Sequence, residues 1–158
     1  MEMITKFVSA LKENDFLSVK KLIKDGADVN DRNENSVSVL ALALYHKCDM
    51  DIVELLIKNG ADIYSTDEEG ISIFEYAIMC NYPFLVEMLL EKGIDLNKTE
   101  RQSGFTPLMG AVCYGRGEMV EVFLKHGADR NQCDAKGLSA IDFARKMKKR
   151  SMQQILEQ

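Results

Sequence analysis

Nearly the same phrase is written four times along this chain: LIKDGADVN, LIKNGADIY, LLEKGIDLN and FLKHGADRN, ending at Asn30, Tyr64, Asn97 and Asn131. The glycines within it, Gly26, Gly60, Gly93 and Gly127, stand 34, 33 and 34 residues apart. Self-similarity at a fixed period of this size marks a repeat array. Each repeat is one supersecondary unit that buries its apolar face against its neighbours. Every one of these glycines follows an apolar run, such as Ile52-Val53-x-Leu55-Leu56-Ile57, and a polar or charged pair. A helix must stop there, and glycine enters the left-handed conformation without a Cβ penalty, which lets the last carbonyls find partners. The repeated phrase is a helix C-terminus.

A second phrase recurs upstream of it: Ser36–Ala43, Gly70–Ala77, Gly104–Val112 (GFTPLMGAV) and Gly137–Ala144. A hydroxyl residue holds the same place in each, at Ser38, Ser72, Thr106 and Ser139. Such a residue is an N-cap, its oxygen accepting from a free amide of the new helix. An acid three residues on, Glu75 and Asp142, completes or imitates a capping box. Pro107 falls at the first helical position, where no donor is lost. Ala43, Ala77, Ala111 and Ala144 line one side of this first helix and permit close packing. A second helix then begins near Asp49–Asp51 and at Pro83, with the apolar sets Ile52-Val53/Leu55-Leu56, Leu85-Val86/Met88-Leu89 and Met119-Val120/Val122-Phe123 at helical spacing.

These residues resemble the ankyrin repeat, whose signature is T-P-L-H, two helices and a G-A-D ending. The resemblance covers essentially the whole chain. It implies an all-α solenoid of helix-turn-helix units joined by β-turn or hairpin loops, about ten helices in all. The chain divides into an N-terminal capping repeat at 1–33, full repeats at 34–66, 67–99 and 100–133, and a C-terminal capping repeat at 134–158, a single domain. The second unit carries an extra residue near Lys47-Cys48, and another is added in the loop between Asp95 and Gly104. The signature histidine is replaced in every copy (Ala41, Glu75, Met109, Asp142), which predicts looser hydrogen bonding at the helix starts.

Net charge is −5, but residues 145–150, RKMKKR, carry five positive charges, so the remainder sums to −10. An acidic body disfavours nonspecific nucleic-acid binding and favours partners with basic surfaces. The basic run reads as a solvated helix end, where cations suit the macrodipole. No apolar run approaches the ~20 residues that span a bilayer. The first residues, MEMITKFVSALKEN, are amphipathic rather than a signal peptide, so the expected location is cytoplasmic, with no membrane partner.

Chemistry is scarce. The four cysteines form no CxxC, and His46-x-Cys48 is too poor a constellation for zinc; no metal and no cofactor is expected, and the thiols should be reduced. Gly110, Gly115 and Gly117 lack the GK[ST] of a phosphate loop. His126 lies at a helix C-terminus. Asp28, Asp62, Asp95 and Asp129 recur with the fold and read as structural, so no catalytic residue is assigned and the chain is not expected to be an enzyme.

The resemblance implies a recognition surface made of hairpin tips and the exposed side of each first helix, forming a concave groove. Carried onto this sequence, it comprises Glu34, Val37, Tyr45 and His46 in the second unit and Glu68, Glu69, Ile71, Met79 and Cys80 in the third. The fourth unit adds Phe105, Cys113 and Tyr114, and the closing unit Lys146 and Met147. Solvated helix surfaces favour Lys, Glu and Gln, whereas this set is rich in tyrosine, phenylalanine and methionine, as binding hot spots are. The expected function is a protein-protein interaction module, monomeric on its own, acting as adaptor, inhibitor or stabiliser. Its partner would have a basic or mixed basic and aromatic surface. The alternatives are an enzyme or small-ligand binder using the same groove, and weak nucleic-acid binding through the basic C-terminal helix. Cys80 and Cys113, near the groove, are expected to be the most reactive thiols.

Overall fold

The computed structural model describes residues 2–158, and the described residues group into two compact units, one up to Tyr76 and the other from Ala77. The N-terminal unit contains α1 (Glu2–Lys12), α2 (Phe16–Lys24), α3 (Val39–Tyr45), α4 (Met50–Lys58) and the start of α5 (Ile73–Met79). The C-terminal unit takes the end of α5, then α6 (Pro83–Glu91), α7 (Pro107–Cys113), α8 (Gly117–Lys125), α9 (Ala140–Lys146) and α10 (Arg150–Glu157). Ten helices and two isolated antiparallel bridges, Arg32 with Ser38 and Thr66 with Ser72, are the regular structure among the described residues. The protein is an all-α repeat solenoid.

First helices stack on first helices and second on second. α1 packs on α3 and α2 on α4; in the other unit α7 packs on α9 and α8 on α10. The first helices come close because Ala43, Ala77, Ala111 and Ala144 are fully buried. Phe7, Leu11, Leu44, Ile52 and Leu56 fill the N-terminal core, and Leu85, Leu89, Leu108 and Phe123 the C-terminal one. Each such side chain contributes about 1.5–3 kcal/mol.

The predicted helix starts hold. Ser38 Oγ accepts from the Ala41 N–H at 3.2 Å, Ser72 Oγ from Glu75 at 3.1 Å and Thr106 Oγ1 from Met109 at 3.3 Å. The replaced histidine loosens them less than expected. Met109 Sδ takes the Thr106 N–H at 3.4 Å, and the Asp142 carboxylate takes both the N–H and the hydroxyl of Ser139 at 2.9 and 3.0 Å. Those two bonds hold the Asp142 carboxyl below its usual range.

At the other ends, Gly26, Gly60, Gly93 and Gly127 all have φ between +86° and +96°. The turn inside each helix pair also needs one left-handed residue, supplied by Asn14, Lys47, Asn81, Gly115 and Lys148. The extra residue near Lys47 lengthens its turn to 46–49, against three residues at 80–82, 114–116 and 147–149.

The recurrent aspartates are structural, as read. Asp28, Asp62, Asp95 and Asp129 each accept from the N–H two residues on at 2.8–2.9 Å. What the sequence did not disclose is the asparagine clamp beside them. Asn30 donates to Gly60 O at 2.9 Å and accepts from Asp62 N–H at 2.7 Å. Asn97 does the same to Gly127 O and Asp129 N–H, at 3.2 and 2.7 Å. The corresponding residue Tyr64 has no amide, and its ring is exposed.

Candidate functional site

The hairpin tips are built by a side-chain oxygen that folds the backbone over itself. Asn33 Oδ1 accepts from the N–H groups of Asn35 and Val37, Asp67 Oδ1 from Glu69 and Ile71, and Asp134 Oδ1 from Lys136 and Leu138. This local turn is a well-known use of Asn and Asp. It throws Glu34, Glu68 and Glu69 into solvent and leaves Val37 and Ile71 half-buried. In the fourth repeat the position belongs to Arg101, whose guanidinium lies 5.4 Å from the centre of the Phe105 ring.

The remaining predicted residues fall on two registers. Tyr45, Met79, Cys113 and Lys146 are the last residues of α3, α5, α7 and α9; His46, Cys80, Tyr114 and Met147 come next. In the N-terminal unit Tyr45 is 64% exposed and meets His46 edge-on at 5.2 Å. Burial, and then the charge of Lys12, lowers the His46 pKa and favours the neutral ring. In the C-terminal unit Tyr114 and Met147 are 43% and 44% exposed, Lys146 is exposed, and Met79, Cys80 and Cys113 are half-buried.

Two expectations need correction. Phe105 is not free of packing demands: it is half-buried and stands edge-on against Phe143 at 5.7 Å, so it joins two repeats. Nor are Cys80 and Cys113 the most accessible thiols. None of the four cysteines is in a disulfide, and Cys133 is the exposed one. Burial raises the Cys113 thiol despite the opposing pull of Lys149, and pushes Cys48 to about 11.

Sequence reasoning also missed the residues that fasten the turns. Arg116 donates to Ile78 O at 3.1 Å and Met79 O at 2.7 Å; Lys149 donates to Val112 O and Cys113 O at 3.1 and 3.0 Å. Each cation thus covers the final carbonyls of the preceding first helix, where both charge and donors are wanted. The signal was there, a cation just before a second helix, but it looks like any solvated charge. Exposed Leu17, Phe84 and Tyr64 were also missed.

Among the described residues no group of three or more His, Cys, Asp or Glu is placed to hold a metal ion, and no helix is long and apolar enough to cross a membrane. One open cleft of about 400 Å³, between α8 and α10, is lined by Glu121, Leu124, Lys125, Arg130, Ile155 and Gln158, none of them among the predicted site residues.

Stacked helix pairs define a helical repeat protein. The chain belongs to the ankyrin-repeat family: a three-copy ankyrin-repeat model matches residues 7–100, and a many-copy one residues 89–144. Repeats of this family are protein-protein interaction modules. Over 70 residues, 44% of its length, the chain is 37% identical to the inhibitor of Bruton tyrosine kinase of Mus musculus. Over 45 residues, 28% of its length, it is 49% identical to the human 2-5A-dependent ribonuclease. Over 140 residues, 89% of its length, it is 30% identical to the ankyrin repeat protein nuc-2 of Neurospora crassa. The chain spans only 5%, 6% and 13% of those proteins.

Proposed function

We propose that this chain captures a partner protein through its hairpin tips and the exposed ends of its first helices, and so blocks, stabilises or tethers that partner. Residence in the cytoplasm and a monomeric free state belong to the same reading. The observation that carries it is the exposure of Tyr45 and Tyr114 at helix ends. Tyr45 is 64% and Tyr114 43% exposed, and the equivalent positions elsewhere carry other residue types. Tyrosine is enriched at interface hot spots. The acids Glu34, Glu68 and Glu69 on the N-terminal unit's tips suit Lys or Arg on the partner, where rim charges act mainly on association rate. The inhibitor of Bruton tyrosine kinase is by its name a regulator of another protein, which accords with this role.

The test is affinity capture from the native cell, comparing the wild-type chain with Tyr45→Ala plus Tyr114→Ala. If the interface is of standard size, about 800 Å² per partner, each anchor is worth roughly 2 kcal/mol or more. The double variant should keep its helical circular dichroism and melting temperature while capture is lost. A variant that unfolds would make the tyrosines core residues, and a folded one that captures normally would move the interface to another face.

A further inference from the structure

In the C-terminal unit the turns that follow α7 and α9 lie side by side. Lys149 reaches from the second turn to Val112 O and Cys113 O in the first, and its Nζ lies 3.6 Å from where a Cβ on Gly115 would stand. That contact joins the two turns that carry Tyr114 and Met147, both more than two-fifths exposed. Exposed Lys146, Lys148 and Arg150 flank Met147 along the chain.

The basic run from 145 to 150 is therefore not simply the C-terminus of a helix. Its first part closes α9, but Lys149 and Arg150 stand at the start of α10, where the helix dipole disfavours cations. The first turn of α10 contains no acid, and its N-cap side chain makes no capping bond. Arg145 pairs with Glu157 at 3.3 Å, Lys149 covers the α7 carbonyls, and Lys146 lies within electrostatic reach of Asp142 on its own helix. Glu118, in the first turn of α8, is the acid nearest in sequence to Tyr114. An apolar pair is thus bordered by three outward cations on a chain whose other residues sum to −10.

We infer that this patch binds an acidic peptide segment of a partner protein that carries one leucine, methionine or aromatic anchor. The anchor packs on Tyr114 and Met147, and the flanking carboxylates meet Lys146, Lys148 and Arg150. This assignment rests on the protein-binding reading above and names the chemistry recognised at one end of it. A peptide suits the patch better than a nucleic acid. The cationic area is small, the remainder of the chain repels a polyanion, and Met147 offers apolar packing where a stacked base would want a ring.

The whole chain should be titrated with three fluorescein-labelled probes: a 12-residue peptide of Glu interrupted by Leu and Phe, the same peptide with Lys for Glu, and a 12-nucleotide oligo-dT. The acidic peptide should bind at least about tenfold more tightly than either of the others, less so as salt rises. Its amide shifts should centre on residues 113–117 and 145–151. Lys146→Glu with Lys148→Glu should weaken it about tenfold, with circular dichroism unchanged. The ranking of the probes by the wild-type chain needs no variant to fold. No binding, equal or tighter binding of the lysine peptide or oligo-dT, or shifts elsewhere would overturn the assignment. Native partner capture that persists when the acidic peptide fails to bind would leave the protein-binding reading standing and remove this one alone. A folded tyrosine double variant that still captures its partner would move the native interface to another face and overturn this assignment with it.

Discussion

The residue just before each second helix is Asp15 or Asp49 in the N-terminal unit, but Tyr82, Arg116 or Lys149 in the C-terminal one. Both units face the same task, which is to satisfy the final carbonyls of a first helix and fix the next repeat beside it. At two joints the C-terminal unit does so with side-chain cations, Arg116 and Lys149. In the N-terminal unit Cys48 Sγ donates to Leu11 O at 3.2 Å, and the Asp49 N–H donates to Asn14 Oδ1 at 2.9 Å. Asp15 meanwhile caps its own helix, accepting from the Ser18 N–H and hydroxyl. The joint needs donors of the right geometry and is indifferent to their charge. The charge displayed at these turns can therefore be set by what the surface meets, and Asp15 and Asp49 stand where Arg116 and Lys149 stand in the other unit.

The largest test of this contrast is to truncate the side chain just before one second helix in each unit. Arg116→Met strips the Ile78 and Met79 carbonyls of a charged donor and should lower stability by about 2 kcal/mol in chemical denaturation. Asp49→Ala should change it by no more than about 0.5 kcal/mol, because Asp49 contributes its backbone N–H and its side chain caps nothing. Equal losses would mean that the cation is incidental.

The second test concerns a device that both units share. A Cβ on Gly60 or Gly127 would meet nothing within 4 Å, so the strain of φ at +96° or +88° is the cost that the first side-chain carbon brings. Gly60→Val should lose more than about 1 kcal/mol, and Gly127→Val a similar amount. An unchanged denaturation midpoint for both would remove the helix-ending account of the repeat.

The smallest effect should come from thiol labelling at mildly alkaline pH. Exposed Cys133 should react first and leave the melting temperature unchanged. Cys48 should stay silent until unfolding, since burial and the neighbouring Asp49 and Asp51 hold its thiol near 11. Early reaction of Cys48 would show that the Leu11 joint opens in the native state.

The architecture was legible because it rests on period and backbone. Four glycines at near-equal steps, four hydroxyl residues at helix starts and two prolines each impose a local conformation whatever the neighbours do. The joints were not legible, because Arg116 and Asn30 act on backbone atoms some thirty or more residues away, and sequence shows no such partner. The surface lay between these extremes. Tyr45 and Tyr114 are exposed, but Phe105 found Phe143 in the following repeat, a pairing that depends on how repeats abut. The thiol expectation failed for a related reason: position near a helix end says little about burial, which neighbouring repeats decide.

The asparagine clamp gives the array a direction. Asn30 and Asn97 each reach forward, from their own repeat to the backbone of the one that follows. At each of these joints the earlier repeat supplies a rotatable side chain and the later one fixed backbone groups, so the joint has a polarity written in one amide.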